Sequence, residues 1–403
     1  MTRPLRVLVV HNRYRSGQPS GEDRVVDREV ALLAGAGHVV DRFERRSDDI
    51  AAMPLPRRAA VPLLVPWNPA VRTELRDHLL ATVPDVVHVH NTFPLLSPSV
   101  VAACADAGVP LVATLHNYLQ VCPSGTLYRD GAACTACVGG SPVPAVRHGC
   151  YRGSRVASVP MALNHAVNRR RWWSGVTTFF CISDAQRRVL LDAGMPGGKL
   201  VVKHNVVDEP ASRRAGPGEH VLFLGRLTVE KGVRLLMTAW DELAAAGGTG
   251  LPLVIAGSGP LEDEVRGWAA GRADVRVAGL QDPAGCADLT ARATAVVVPS
   301  TWLEAFGLVV VEAMAAGVPI VAAGHGAPAE LVVDGVTGLL HEPGHAGSLA
   351  AALRAAVADP DRNARMGAAA RLRYEEAFTP AAGLDALVAG YRSAISPAPG
   401  VPV

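Results

Sequence analysis

Two cations set five residues apart are the first groups in this chain that could do chemistry. Arg226 and Lys231 follow the apolar run HVLFLG and precede a helical pattern. An arginine can grip two oxyanion oxygens at once and a lysine supplies a compact charge, so the pair suits a pyrophosphate. Ordinary solvated strand-to-helix loops carry the same residue types. A second pattern is Glu304-Ala-Phe-Gly-Leu-Val-Val-Val-Glu312. Glu304 falls in a loop after an apolar run ending at Val298. Gly307 opens a helical stretch whose first amides and positive dipole end can hold a phosphate. Glu312 lies five residues into that helix, roughly 7–8 Å along its axis. Its neighbours Val309–Val311 and Ala313–Ala316 are apolar, so its carboxylate needs a cation or hydroxyl donors, which a sugar would supply. The plain alternatives are an ion-paired structural Glu312 and a helix-capping Glu304.

Gly257-Ser258-Gly259-Pro260 closes another apolar run. Its glycines allow close backbone approach and Pro260 suits a helix start, as in many β–α turns. No G-x-G-x-x-G follows a strand with an acid about 20 residues on, which argues against a nicotinamide dinucleotide.

Cys122, Cys134, Cys137 and Cys150 have the spacing C-x11-C-x2-C-x12-C in a stretch rich in Gly and Pro. Four thiolates around one structural zinc would supply what a small apolar content cannot. Free thiols and an iron–sulfur cluster are the alternatives, and His148 could replace one Cys. Cys104, Cys181 and Cys286 lie in helix or strand patterns and are expected in the core. Arg169-Arg170-Arg171-Trp172-Trp173 could anchor the chain at an anionic membrane surface. The favoured reading is a helix end whose tryptophans enter the core.

These residues need elements to hold them. LRVLVV (5–10) reads as a buried parallel strand ended by His11–Asn12. A loop containing Gly17 and Gly21 leads to an amphipathic helix stopped by Gly35 and Gly37. HVVDRF, PDVVHVH, PLVATLH, TTFFCIS and KLVVKHN continue as strands, with helices between most of them and Asp184 as one N-cap. A second series follows: HVLFLG, LPLVIAG, VRVAG, ATAVVVPS and VPIVAAG. Strands alternating with helices imply doubly wound parallel sheets. DEPASRRAGPG reads as a linker between the two series. The fold class is therefore α/β: two tandem Rossmann-like domains facing across a cleft.

Composition sets the limits. The chain has 403 residues, 49% hydrophobic and 19% charged, enough for about two domains with cores. Net charge is +2, which gives no case for a nucleic-acid partner. Residues 1–205 carry 24 Lys+Arg against 15 Asp+Glu; the remainder carry 15 against 22. Lysine occurs only at 199, 203 and 231. The longest uncharged apolar stretch, Ala313–Gly324, is short of the roughly 20 residues a membrane helix needs. Val7–Val10 is too short for a signal peptide. The expectation is a cytoplasmic protein, with a peripheral contact at the inner membrane face as the alternative role of the Arg-Trp cluster.

Arg226 and Lys231, Gly257–Pro260, Pro299-Ser300 and the E-x7-E of Glu304 and Glu312 occur in this order, each after a strand. The ordered set resembles the retaining, GT-B-fold glycosyltransferases of family 4 (glycosyl transferases group 1). The resemblance spans essentially the whole chain and is clearest over 220–342. It implies an N-terminal acceptor-binding domain (1–206, with a Cys-rich insert at about 117–155) and a C-terminal nucleotide-sugar domain (219–378). A C-terminal helix (379–403) is expected to pack back on the first domain.

The resemblance also implies roles. Arg226 and Lys231 would clamp the donor diphosphate, Glu304 would hold donor-sugar hydroxyls, and Glu312 would hold the ribose. The amides of Phe306, Gly307 and Leu308 would make further sugar and phosphate contacts. Gly257, Gly259 and Pro260, with the backbone near Leu280, would form the base pocket, and His116 would lie near the donor sugar. Gly21 belongs to the family's glycine-rich first loop, where Ser20-Gly21 replaces the usual glycine pair. Some members carry a similar Cys-rich insert.

The implied activity is transfer of a sugar from a nucleoside-diphosphate sugar, UDP or GDP, to an acceptor hydroxyl with no catalytic metal. The acceptor would be a sugar, a lipid-linked sugar or a natural product. A phosphorylase on the same fold and a non-catalytic nucleotide-sugar-binding regulator are the competing readings.

Overall fold

The computed structural model describes residues 3–16 and 20–396, and it divides into two compact units. The first comprises residues 1–127, 135–204 and 383–403; the second comprises 128–134 and 205–382.

The first unit is built on a parallel sheet of β1 (Arg6–Arg13), β2 (Val39–Arg46), β3 (Val86–Asn91), β4 (Leu111–Leu115), β7 (Thr178–Cys181) and β8 (Leu200–Val202). The two short strands between β4 and β7, β5 (Tyr128–Arg129) and β6 (Ala132–Ala133), form a separate hairpin. The sheet order is β2-β1-β3-β4-β7-β8. Its core joins Val7, Val9, Val86, Val112 and Phe180 to Leu387, Tyr391 and Ala394 of the helix Pro380–Ile395.

β1 runs past the expected stop. His11 and Asn12 are strand residues and fully buried, because each finds polar partners. His11 Nε2 lies 2.6 Å from Asp23 Oδ1. Asn12 donates to Ser47 Oγ at 3.0 Å and accepts from the Leu95 amide at 3.1 Å. With these partners the polar pair extends the strand, although His11 Nδ1 is buried without one. The helix Asp184–Asp192 also differs from expectation: its cap is Ser183, whose Oγ accepts from the Gln186 amide at 3.0 Å.

The second unit carries a parallel sheet of β9 (His220–Leu224), β10 (Leu253–Ala256), β11 (Val275–Gly279), β12 (Ala293–Val298), β13 (Ile320–Ala323) and β14 (Gly338–His341), ordered β11-β10-β9-β12-β13-β14. Every residue of β12 is buried, as expected of a strand covered on both faces. The winding direction reverses between β9 and β12. In open parallel sheets the crevice outside the carboxyl ends at such a reversal is where ligands bind.

Candidate functional site

Arg226 follows β9, Gly257–Pro260 follows β10, and Glu304 follows β12, so the second unit gathers three motif-bearing loops around its reversal point. The first two loops are laced by backbone bonds: Gly225 donates to Ala256 O at 3.0 Å, and Leu227 to Ser258 O at 2.9 Å. Gly257 has φ +142°, and a Cβ there would stand 1.8 Å from Gly225 O. The β9 and β12 loops are joined by the Thr301 amide donating to Glu230 O at 2.9 Å.

Gly232 seats Lys231 against this junction. It has φ +75°, and a Cβ would lie 1.8 Å from Pro299 O. Gly232→Ala therefore combines left-handed strain, about 1–3 kcal/mol, with a backbone clash that pushes the two loops apart. The expected result is a lowered melting temperature. An unchanged melt would show that the loops can part freely.

Lys231 and Glu304 are brought into direct contact. Lys231 Nζ bonds Glu304 Oε1 and stands 5.4 Å from the Trp302 ring centroid. Ser300 Oγ donates to Glu304 Oε2 at 2.7 Å, and His325 Nε2 lies 2.8 Å from Ser300 O. Glu304 is buried. Burial alone would raise its carboxyl pKa, but the Lys231 charge, the bonds from Lys231 and Ser300, and the Arg226 charge outweigh burial and hold it below the ordinary value. Glu304 is therefore an ionised, oriented acceptor at neutral pH. The Arg226 side chain is 61% exposed, with Glu230 Oε1 3.6 Å away, and is available to an anion. The helix behind this loop is Leu308–Ala315, capped by Gly307 at φ +97°. Phe306 is buried, whereas Leu308 and Glu312 are half-buried. Leu280 is 62% exposed in the loop after β11.

In the first unit, Gly21 begins the helix Gly21–Gly35 behind the cap Ser20. Gly17 lies outside the described residues. His116 follows β4, and its Nε2 is 2.9 Å from His90 Nδ1. Burial first, then the Lys203 and His11 charges, hold the His116 imidazole well below its usual pKa, so it is neutral at pH 7.

Sequence reasoning missed the polar cluster behind His116. Lys203 Nζ bonds Glu29 Oε1. Glu29 Oε2 stands 3.8 Å from both His88 Nδ1 and His90 Nε2. His88 is also held by Tyr391 Oη at 2.7 Å and Thr114 Oγ1 at 2.8 Å. Glu29, His88 and His90 form the only set of three potential metal ligands within 4.8 Å among the described residues. Charge argues for a hydrogen-bonded cluster: Lys203 already neutralises Glu29, and a divalent ion would add two buried positive charges beside an ammonium group. The signal that could have exposed Lys203 is its rarity, since lysine occurs only three times in the chain.

The four cysteines expected to hold zinc do not form a closed set of ligands in the structure. Three of them, Cys122, Cys137 and Cys150, belong to the first unit and Cys134 to the second. No three of the four have their sulfurs within 4.8 Å of one another. Cys122 Sγ instead lies 3.2 Å from Ser124 Oγ. The segment has more core than its composition suggests: Tyr118, Val121, Leu127 and Ala145 are each 1% exposed. Its β5–β6 hairpin clusters with the second unit, where Tyr128 Oη lies 3.2 Å from Thr301 Oγ1. Cys104 and Cys181 are core thiols that burial pushes up to about 12, whereas Cys286 is only half-buried. Trp172 is buried at the end of the helix Arg155–Gly175. Arg171 and Arg169 stack over Trp67 and Trp173 at 4.7 and 5.2 Å. Among the described residues no helix is long and apolar enough to cross a membrane.

Residues 208–373 match the family described as glycosyl transferases group 1, and residues 19–209 match the glycosyltransferase family 4 description. The chain is similar to a D-inositol 3-phosphate glycosyltransferase of Catenulispora acidiphila, 32% identical over 334 residues, which are 79% of this chain and 74% of that protein. It is also similar to the glycogen synthase of Mycobacterium tuberculosis, 31% identical over 308 residues. That match covers 73% of this chain but only 65% of the length of the synthase. Among solved structures, Anabaena HepE in complex with UDP superposes with a TM-score of 0.69 at 20% identity, covering 96% of this chain and all of that one. A glycosyltransferase from Rickettsia africae gives 0.71 at 15% identity, covering 98% of this chain and all of that one. At these identities the two structures establish a shared fold.

Proposed function

The chain belongs to the glycosyl transferases group 1 family, and from that premise we propose that it is a retaining glycosyltransferase. It moves a sugar from a nucleoside-diphosphate sugar, UDP- or GDP-linked, to a hydroxyl of a carbohydrate, lipid-linked or natural-product acceptor. The observation that carries this reading is the meeting of Lys231 and Glu304 at the sheet reversal, with the exposed guanidinium of Arg226 on the adjoining loop.

Breaking the bond between the sugar C1 and the phosphate oxygen leaves positive charge on the ring and negative charge on the departing diphosphate. Arg226 and Lys231 are fixed cations at the place where that negative charge grows, the largest kind of catalytic contribution. A diphosphate competes with Glu304 for the Lys231 ammonium. The released, ionised carboxylate then accepts donor-sugar hydroxyls, with the amides of Phe306, Gly307 and Leu308 as further partners. Glu312 takes the ribose hydroxyls. Gly257, Gly259 and Pro260, with the exposed backbone at Leu280, take the base. The acceptor oxygen bonds C1 on the face the diphosphate leaves, and its proton passes to the leaving phosphate. His116, being neutral, serves as a hydrogen-bond partner to the donor sugar.

Two fixed cations make a divalent ion unnecessary at the diphosphate. Transfer from the preferred UDP- or GDP-sugar should therefore persist in EDTA, read as nucleoside-diphosphate release that depends on acceptor. Loss of transfer in EDTA with the fold intact would overturn the metal-independent mechanism. Release of sugar from a glycoside with inorganic phosphate would favour a phosphorylase instead.

A further inference from the structure

The first unit holds a cavity at the carboxyl ends of β3 and β4, closed on one side by the helix Arg155–Gly175. That helix contributes Met161, Asn164, His165, Arg169 and Trp172 to the lining. Positions 161, 165, 169 and 172 follow the spacing that puts residues on one helix face. His116 lies in the same wall.

Two observations describe what the cavity would hold. The first is charge. Its ionisable lining residues are His90, His116, His165 and Arg169, with no carboxylate among them. The three histidines are held below their usual pKa, chiefly by burial, which leaves Arg169 as the charge. Its guanidinium lies over the Trp173 ring at 5.2 Å and donates to Gly140 O at 3.4 Å. Among the described residues these two contacts are to a ring and a carbonyl, and no carboxylate lines the cavity beside them. A partly buried guanidinium with no counter-charge suits an oxyanion, which it can meet with two parallel bonds.

The second observation is a bare nitrogen. His165 is 6% exposed, and its Nε2 is buried with no partner. Burial lowers this imidazole, while a bond to the Leu119 backbone works in the opposite direction. In either tautomer of the neutral ring the buried Nε2 is left without a partner, and a hydroxyl, which both donates and accepts, can satisfy it.

We propose that the acceptor is a hydroxyl-bearing molecule that carries an oxyanion group, with Arg169 holding the oxyanion and His165 Nε2 hydrogen-bonding one hydroxyl. The inference rests on the glycosyltransferase reading above and names its acceptor class. A phosphate monoester and a carboxylate share this chemistry, and the test separates them.

The experiment uses the full chain and ligand-observed NMR, which reads weak affinities, with glucose 6-phosphate, glucuronate and glucose as probes. At least one anionic sugar should bind about 10-fold or more tightly than glucose, the scale of a charged hydrogen bond; whichever does identifies phosphate or carboxylate. Arg169→Gln should erase that preference, and His165→Ala should weaken charged and neutral sugars together. Binding of UDP and GDP is measured in parallel on each variant. Equal binding of all three sugars, or no binding of any, overturns the anionic-acceptor inference. So does a preference that survives Arg169→Gln. If the nucleotides still bind in those cases, the glycosyltransferase reading stands alone. If neither UDP nor GDP binds the unaltered chain, that reading fails first.

Discussion

Lys231→Ala should lower turnover at least about 10²-fold, the scale expected when one preorganised donor to developing negative charge is removed. Lys231 does two things at once. In the proposed mechanism its ammonium stands where the leaving diphosphate gains charge, and in the structure it is the cation against the buried Glu304 carboxylate. Without it, burial pushes the Glu304 carboxyl upward with only Ser300 and the Arg226 charge left to oppose it. In the unaltered protein Glu304 ionises at unusually low pH and is fully charged at neutrality. In the variant it protonates at higher pH, so the residual activity should fall as pH drops through a range where the parent is flat. Glu304→Ala should cut turnover on a similar scale, whereas Glu312→Ala should act mainly on donor affinity. Steady-state kinetics against pH decide the matter. Near-parental turnover in Lys231→Ala would remove the diphosphate assignment.

The parallel α/β architecture was legible because strands buried on both faces leave unbroken apolar runs. The positions of the loops bearing Arg226, Gly257–Pro260 and Glu304 were legible because each directly follows such a run. The cavity wall was not: Met161, His165 and Arg169 belong to one helix face, and nothing in local sequence says that this face meets the ends of β3 and β4. His11 and Asn12 read as a strand end because their partners Asp23, Ser47 and Leu95 are distant in sequence. The cysteine spacing was visible in the sequence, but spacing along a chain does not fix convergence in space.

Lysine usage was the overlooked signal. In a chain with 36 arginines, each of the three lysines makes a contact suited to a compact ammonium. Lys199 Nζ donates to Trp173 O, Ser174 O and Val176 O at 3.1, 2.8 and 2.9 Å, closing the end of the helix Arg155–Gly175. Lys203 meets Glu29, and Lys231 meets Glu304.

Lys203→Ala should cost the first unit about 3–5 kcal/mol, the range for breaking a buried ion pair by removing one partner. The Lys203 and Glu29 side chains are 3% and 6% exposed, so water cannot replace the lost charge. The groups left around Glu29 are poor substitutes. The His88 and His90 imidazoles are held well below their usual pKa, burial being the largest cause for both. His88 is already engaged by Tyr391 and Thr114. Glu29→Ala should be equally damaging, because it strands the ammonium beside three neutral histidines. Removing both charges is different in kind. Lys203→Met with Glu29→Gln leaves no buried net charge and keeps most of the volume, so the double variant should be more stable than the sum of the single losses by several kcal/mol. Denaturant unfolding of the four proteins, followed through a probe in the first unit, measures that coupling. Strictly additive losses would mean that the two charges are independently solvated and that the cluster behind His116 does not hold it in place.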